Sequence, residues 1–168
     1  MIYKISKDNK YRYVLGEEGE NPLFVLGVNP STATDVDFDT TIKKVRKFSL
    51  FNKFDGWIVL NIYPQRAKKS NELDDSLNET QHIENIKEIT EIISRYKHPA
   101  IWAAWGNTIL KRYYLKRCLV EIKNSISMSK PNWIFIGDKT QKNHPSHPSR
   151  LPYNSKKEEF DIDNYIKN

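Results

Sequence analysis

Residues 22–28 of the chain read PLFVLGV, an apolar run that begins at a proline and has a glycine near its end. The run has the length of a β-strand, and its apolar residues are continuous instead of alternating with polar ones. Such a strand is typical of a parallel sheet that helices cover on both faces. The residues that follow, NPS at 29–31, predict a turn where the strand ends.

Apolar and amphipathic segments alternate along the rest of the chain. Three more apolar runs have the length of strands, at residues 57–60, 100–105 and 133–136. Apolar side chains recur at helical spacing between the four runs, in residues 41–54, 80–96 and 108–126. This alternation predicts an α/β fold, a three-layer sandwich with a mainly parallel, four-stranded central sheet.

Two further segments lie outside the four strands and three helices predicted above. Residues 11–15 are predicted to add a strand at an edge of the sheet. The lysine-rich tail from Ser155 is predicted to form a short helix or to stay loose. Because no linker divides the sequence, residues 1–168 are interpreted as a single domain.

Composition restricts the class of protein. The 27 Lys and Arg exceed the 21 Asp and Glu, and the resulting net charge of +6 suits a nucleic-acid partner or merely a solvated lysine-rich surface. Cys118 is the only cysteine, which excludes an intrachain disulfide and a cysteine-rich zinc site. Residues 1–16 contain no apolar core of the kind a signal segment has, and no run of about 18 apolar residues occurs. We expect a soluble, cytoplasmic monomer with no membrane contact and no obligate protein partner.

Polar residues follow the predicted strands at their carboxyl ends, where open parallel sheets bind ligands. Asn29 follows the first strand, Asn61 the second and Asn107 the third, and the fourth leads into two HPS tripeptides at 144–149. Each asparagine alone is explained by a turn, a strand end or a helix cap. Their common position at one edge of one sheet favours a binding site.

The same segments resemble motifs of the uracil-DNA glycosylase superfamily, in that family's order. They are GVNPS at 27–31, GWIVLN at 56–61, IWAAWGN at 101–107, and HPS at 144–146 or 147–149. The resemblance implies a uracil-DNA-glycosylase-like fold and base excision from DNA. The combination of NPSTA, N-x-x-x-x-RA, AWG and HP-x-HP also resembles a small prokaryotic family described mainly as a domain of unknown function.

Base excision needs a group that reads the base, a donor for the departing base and a group that positions water. The resemblance makes Asn61 the reader, since an amide donates and accepts at once. A histidine of the HPS segment would stabilise charge on the base, with His147 the first choice and His144 the second. Asn29 stands where uracil-specific members carry aspartate, so we expect it to orient water without deprotonating it.

Three acids follow in the same loop, and they allow two interpretations. Asp35, Asp37 and Asp39 alternate along the chain, a pattern that a divalent metal or a solvated helix-capping loop would explain. The capping loop is the preferred interpretation, so no metal and no organic cofactor is expected. Asp39 is the acid that we expect to assist catalysis if one of them does.

Two residues concern the base pocket. Ser31 occupies the position after the proline where uracil-specific members carry a bulky aromatic residue that excludes bases substituted at C5. The small side chain predicts a C5-substituted pyrimidine as substrate, such as the hydroxymethylated or glucosylated cytosines of phage DNA. Tyr63 is the candidate for stacking on the flipped base.

Contacts to the DNA backbone are expected from cations and hydroxyls around the same edge. Such contacts neutralise phosphates, make binding sensitive to salt and hold the strand while a base flips. The candidates are Ser146, Ser149, Arg66, Lys68, Lys69, Lys139, Lys142 and Arg150.

The sequence thus predicts a monofunctional DNA glycosylase that leaves an abasic site in DNA. Two other functions stay open. One is a hydrolase of free nucleosides or nucleotides, and the other is a nucleic-acid-binding module without catalysis. Asn29, an amide where an acid is expected, is the feature that keeps the second one open.

Overall fold

The structure is a computed structural model that describes residues 1–168. Its strands are β1 (Ile2–Ile5), β2 (Arg12–Glu17), β3 (Pro22–Gly27), β4 (Gly56–Asn61), β5 (Ala100–Ala103), β6 (Asn132–Ile136) and β7 (Lys157–Glu159). Its α-helices are α1 (Thr40–Phe51), α2 (Glu79–Ile93), α3 (Leu115–Ser125) and α4 (Ile162–Lys167). No helix combines the length and the apolarity that crossing a membrane requires.

All seven strands belong to one mixed sheet in the order β1-β2-β4-β3-β5-β6-β7. The prediction of a four-stranded, mainly parallel sheet is therefore wrong. Three parallel pairings join β4, β3, β5 and β6, but three antiparallel pairings add β1, β2 and β7 at the sides. The strands β1 and β7 were missed because their residues are half-buried or exposed and form no apolar run. The strand β2 was expected at an edge, but β1 covers it.

The continuous apolarity of β3 has a direct structural explanation. Leu23 and Val25 belong to an apolar cluster with the buried side of α1. Phe24 and Leu26 belong to a second cluster with α2 and α3 on the other face of the sheet. Every side chain of the strand is therefore removed from water, which gives a layer of helices on each side of the sheet.

The third predicted helix begins later than residue 108. Residues Gly106–Leu110 form a 3-10 turn, and α3 starts only at Leu115. Gly106 has a φ of +56°, in the left-handed region that favours glycine, so the chain turns sharply after β5. This turn brings the end of β5 to the segment before residue 150, because the Gly106 amide donates to the carbonyl of Pro145 at 2.8 Å.

The tail is ordered by contacts with the core. The hydroxyl of Tyr165 in α4 accepts a hydrogen bond from the indole N–H of Trp105 at 2.9 Å. Trp105 is fully buried, so no water can replace this acceptor. The tail from Ser155 therefore includes a short helix, α4, which was one of its two predicted states, and it does not stay loose.

We expect Tyr165→Phe to lower the free energy of unfolding by about 1–3 kcal/mol, since it leaves a buried indole N–H without an acceptor. Denaturant unfolding followed by tryptophan fluorescence measures the change. Tyr113→Phe is the matched control because Tyr113 is 79% exposed. An unchanged unfolding midpoint for Tyr165→Phe would contradict the contact.

Candidate active site

A cleft of about 860 Å³ lies at the carboxyl ends of β3, β4 and β5. The amino end of α1 and residues 146–150 complete its wall. The sequence-predicted site residues that line it are Asn29, Ser31, Asp39, Asn61, Lys68, Asn107, Ser146, His147, Ser149 and Arg150. The structure therefore brings most of the predicted site together, as the position of strand ends in a parallel sheet requires.

The two asparagines are placed by the pairing of β3 with β4. Gly27 lies opposite Asn61 in the parallel ladder. The pairing continues past both strand ends, because the amides of Ile62 and Tyr63 donate to the carbonyls of Gly27 and Val28, each at 2.8 Å. A Cβ at Gly27 would lie 3.4 Å from Oδ1 of Asn61, so the absence of a side chain there leaves space beside the amide.

Asn61 is 2% exposed, yet its side-chain amide makes no hydrogen bond within the protein. The main chain at this position is fixed, because the side chain of the buried Asn85 donates to the Asn61 carbonyl at 2.9 Å. A buried amide without partners is an exception that needs an explanation. Asn61 lines the cleft, and its amide carries one donor group and one acceptor that no protein group uses.

Asn29 has a fixed orientation. Its side-chain nitrogen donates to the carbonyls of Pro30 and Ala67, both at 3.0 Å. Because two carbonyls identify the nitrogen, the other amide atom must be the oxygen. That oxygen accepts no hydrogen bond from the protein, so it is available to a water or a ligand group in the cleft.

His147 is held as a neutral donor. Its Nδ1 accepts a hydrogen bond from the backbone N–H of Ser149 at 3.2 Å and lies 2.7 Å from the Ser149 hydroxyl. Since a backbone N–H can only donate, Nδ1 carries no proton and the neutral ring carries its proton on Nε2. Burial lowers the pKa of His147 to about 4, although the Asp39 carboxylate opposes this shift. Neutral imidazole with a free Nε2–H suits the stabilisation of a developing anion.

Asp39 caps the helix that forms one wall of the cleft. Its Oδ1 accepts a hydrogen bond from the backbone N–H of Ile42 at 2.9 Å. The cap leaves the second carboxylate oxygen without a protein partner. Asp35 and Asp37 are exposed and do not line the cleft, and no three His, Cys, Asp or Glu side chains gather in a metal-binding cluster.

The structure corrects the stacking role predicted for Tyr63. The side chain is fully buried and does not line the cleft. Its ring packs edge-on against Tyr114 at 5.1 Å, and its hydroxyl accepts a hydrogen bond from the Asn78 amide at 3.2 Å. Burial raises the pKa of the Tyr63 phenol to about 12. Tyr63 is therefore a core residue and cannot stack on a base.

Five more predicted residues do not line the cleft, namely His144, Lys142, Arg66, Lys69 and Lys139. His144 and Lys142 line a separate pocket of about 310 Å³ beside α4, where the His144 Nδ1 lies 2.7 Å from the Tyr165 hydroxyl. Arg66 is turned to the loop at residues 31–33, with its Nη1 donating to the carbonyl of Ser31 at 3.0 Å. His144 does not reach the cleft, so its predicted catalytic role there is corrected, whereas the DNA contacts predicted for Lys142 and Arg66 stay predictions.

Arg12 lines the cleft and was missed by the sequence analysis. It is 3% exposed, and its Nη1 donates to the carbonyl of Ala33 at 3.0 Å. Burial, and next the nearby charge of Arg66, lower the pKa of Arg12 to about 10, so the guanidinium stays charged at neutral pH. The sequence carries no signal for this, because an arginine at the start of a flanking strand is ordinarily exposed.

The fold and the cleft define an α/β protein with a polar cleft at the carboxyl edge of the parallel strands of its sheet. Residues 12–149 match the family described as Protein of unknown function (DUF1643), and the chain belongs to that family. The predicted resemblance to a family of unknown function is thus confirmed, while the resemblance to the uracil-DNA glycosylase superfamily stays a prediction from motifs. No curated protein and no solved structure matched the chain.

Proposed function

We propose that the protein is a DNA glycosylase that hydrolyses the N-glycosidic bond of a C5-substituted pyrimidine and leaves an abasic site. The observation that carries this proposal is the side chain of Asn61. Its amide is buried, has no hydrogen-bond partner and lines the cleft. The Watson–Crick edge of a pyrimidine offers adjacent donor and acceptor groups. These groups would supply the hydrogen-bond partners that the amide of Asn61 does not have within the protein.

The reaction breaks the bond between C1′ of the sugar and N1 of the base. The electron pair of this bond goes to the base, and a water adds to C1′ and loses a proton. His147 would donate a hydrogen bond from its Nε2–H to the O2 atom of the departing base, where negative charge develops. The Asn29 oxygen would accept a hydrogen bond from the water, and the uncommitted oxygen of Asp39 is the candidate acceptor for the proton.

The proposed C5 substituent depends on the wall of the cleft at Ser31. This residue is half-buried and lines the cleft. A serine leaves room where a large side chain would fill the space beside the base. The cleft volume of about 860 Å³ lies in the range of sites that enclose drug-sized ligands, so a base with a bulky group fits it. Hydroxymethylated and glucosylated cytosines of phage DNA are the proposed examples.

The proposed DNA contacts come from the rim of the cleft. Lys68 lines the cleft, and Arg150 is an exposed cation of the HPS segment. The Ser146 hydroxyl donates to the Asp138 carbonyl, and the Ser149 hydroxyl contacts His147. Both hydroxyl protons are therefore committed within the loop, so a phosphate at this rim would be held mainly by the two cations, and the serines would position the loop.

A binding module without catalysis is the second candidate. The observation that favours it is the fixed amide of Asn29, because an amide oxygen can hold a water but cannot remove its proton. In this case the cleft would hold a flipped base without breaking the bond. Binding of DNA with no released base from any substrate would select this function.

The substrate test uses oligonucleotides that differ in one base only. Duplexes and single strands carry uracil, thymine, 5-hydroxymethylcytosine or its glucosylated form, and mass spectrometry detects the released base. We expect release from the C5-modified cytosines. Efficient release of uracil with none from the modified cytosines would contradict the role assigned to Ser31.

A further inference from the structure

Arg12 is a buried cation that has no ion pair. It is 3% exposed, and the one hydrogen bond of its guanidinium goes to a neutral carbonyl, that of Ala33. Buried charges in proteins are ordinarily paired, because removing a charge from water is costly. The charge of Arg12 therefore has no direct partner, and the Asp39 carboxylate stabilises it only from a longer distance.

A second guanidinium increases this local positive charge. Arg66 also donates to the Ala33 carbonyl, at 3.3 Å against 3.0 Å for Arg12, so one oxygen accepts from both side chains. Arg66 makes no ion pair either. The repulsion between them contributes to the lowered pKa of Arg12. Two adjacent like charges that share one neutral acceptor are the arrangement that an anion would stabilise.

The guanidinium of Arg12 keeps one donor group open. Its Nη1 is committed to Ala33 and its Nε is buried without a partner, whereas its Nη2 makes no hydrogen bond within the protein and retains exposure. Nη2–H can therefore donate a charge-assisted hydrogen bond to a phosphate oxygen.

The amino end of α1 lines the same cleft. Thr40 and Thr41 are its first residues, and Asp39 caps the amide of Ile42 alone. The remaining amides and the helix dipole attract negative charge. Lys68 adds a further cation to the cleft, so the Asp39 carboxylate is outnumbered by positive charges.

We propose that Arg12 and the amino end of α1 form a phosphate-binding subsite inside the cleft. One phosphate oxygen would accept from Nη2–H of Arg12, and another would face the helix amides. That the phosphate belongs to a nucleotide rests on the proposed function, whereas binding of phosphate itself does not. The subsite differs from the surface cations that would contact a DNA strand, because Arg12, its main phosphate-binding residue, is buried.

The first test measures binding of inorganic phosphate by calorimetry, with chloride at equal ionic strength as the reference. We expect Arg12→Gln to weaken phosphate binding about tenfold or more, since it removes a charged donor. Lys97→Gln is the matched control, an exposed lysine before β5 that should leave the affinity unchanged. Unaltered affinity in Arg12→Gln, or no binding by the parent protein, overturns the proposal.

A second measurement covers the case in which Arg12→Gln does not fold. Arginine Nε–H signals of the ¹⁵N-labelled parent protein are followed during a phosphate titration, with Arg12→Lys used to assign the Arg12 signal. We expect a saturable shift of that signal. A titration in which the Arg12 signal does not move overturns the proposal.

Competition then distinguishes the two sources of phosphate. The arms are dCMP, a monoester, and a dinucleoside phosphate, which has only a diester. Tighter competition by dCMP assigns the subsite to a free nucleotide, and equal or tighter competition by the diester assigns it to a DNA strand. Failure of both to displace phosphate overturns the assignment to a nucleotide. Phosphate binding without any base release would refute the glycosylase and leave the subsite in place.

Discussion

Replacement of Asn61 by alanine should reduce base release by about 10²- to 10³-fold, the effect of losing one preorganised group that contacts the reacting base. The same change should leave the protein as stable as before or more stable. Asn61 makes no side-chain hydrogen bond, so the variant loses no internal bond and removes an unsatisfied buried donor. Loss of activity without loss of stability is the signature of a residue kept for its ligand.

Two measurements on the same preparations test this result. Single-turnover base release gives the activity, and denaturant unfolding gives the stability. Asn124→Ala is the matched control, since Asn124 is exposed on α3 and outside the cleft. A stability loss in Asn61→Ala that accounts for its activity loss would show that the amide is structural.

Replacement of His147 by asparagine should make the protein less sensitive to acid. The pKa of His147 falls from 6.5 to about 4 in the folded state because the ring is buried. Between pH 6.5 and pH 4 the unfolded chain binds a proton at His147 that the folded protein does not bind. The contribution of the neutral His147 to the free energy of unfolding is therefore complete above pH 6.5 and is lost as the pH falls towards 4. The loss amounts to about 3 kcal/mol and is absent from the variant.

The asparagine is chosen to preserve the local structure. Its oxygen can still accept from the Ser149 amide, as Nδ1 of His147 does, but it has no donor at the position of Nε2. Base release at neutral pH should therefore fall about 10²- to 10³-fold. Since wild-type His147 is neutral above its pKa, the wild-type rate should not change between pH 6 and 8 on account of this residue.

His98→Asn is the control for the pH experiment. His98 is exposed and has a φ of +51°, a conformation that asparagine tolerates. The difference in unfolding free energy between wild type and each variant is measured from pH 8 to pH 4. A difference for His147→Asn that does not change between pH 8 and pH 4 would contradict the neutral state of His147 in the folded protein.

The centre of the sheet was predictable and its sides were not. Strands such as β3 are buried on both faces, and burial of this kind produces the apolar runs that a sequence displays. The outer strands β1 and β7 have no such run, because their stability comes from pairing with a neighbour already in place. Backbone pairing is independent of side-chain type, so hydrophobicity alone could not reveal a seven-stranded sheet.

The candidate site shows the same division. The rule that ligands bind at the carboxyl ends of parallel strands placed Asn29 and Asn61 in one cleft. The two HPS tripeptides are identical in sequence, so only the tertiary contact of His144 with Tyr165 separates it from His147. Tyr63 failed as a stacking residue because the sheet pairing continues past Asn61 and carries its ring into the core.

Direct detection of abasic sites tests the proposed glycosylase most sharply. The parent protein and Asn61→Ala are each incubated in excess with DNA that carries one glucosylated hydroxymethylcytosine, and alkali then cleaves the strand at any abasic site. We predict cleavage at the modified position by the parent protein and about 10²- to 10³-fold slower cleavage by the variant. DNA that binds the parent protein but remains intact after alkali, for every C5-modified pyrimidine, would contradict the account.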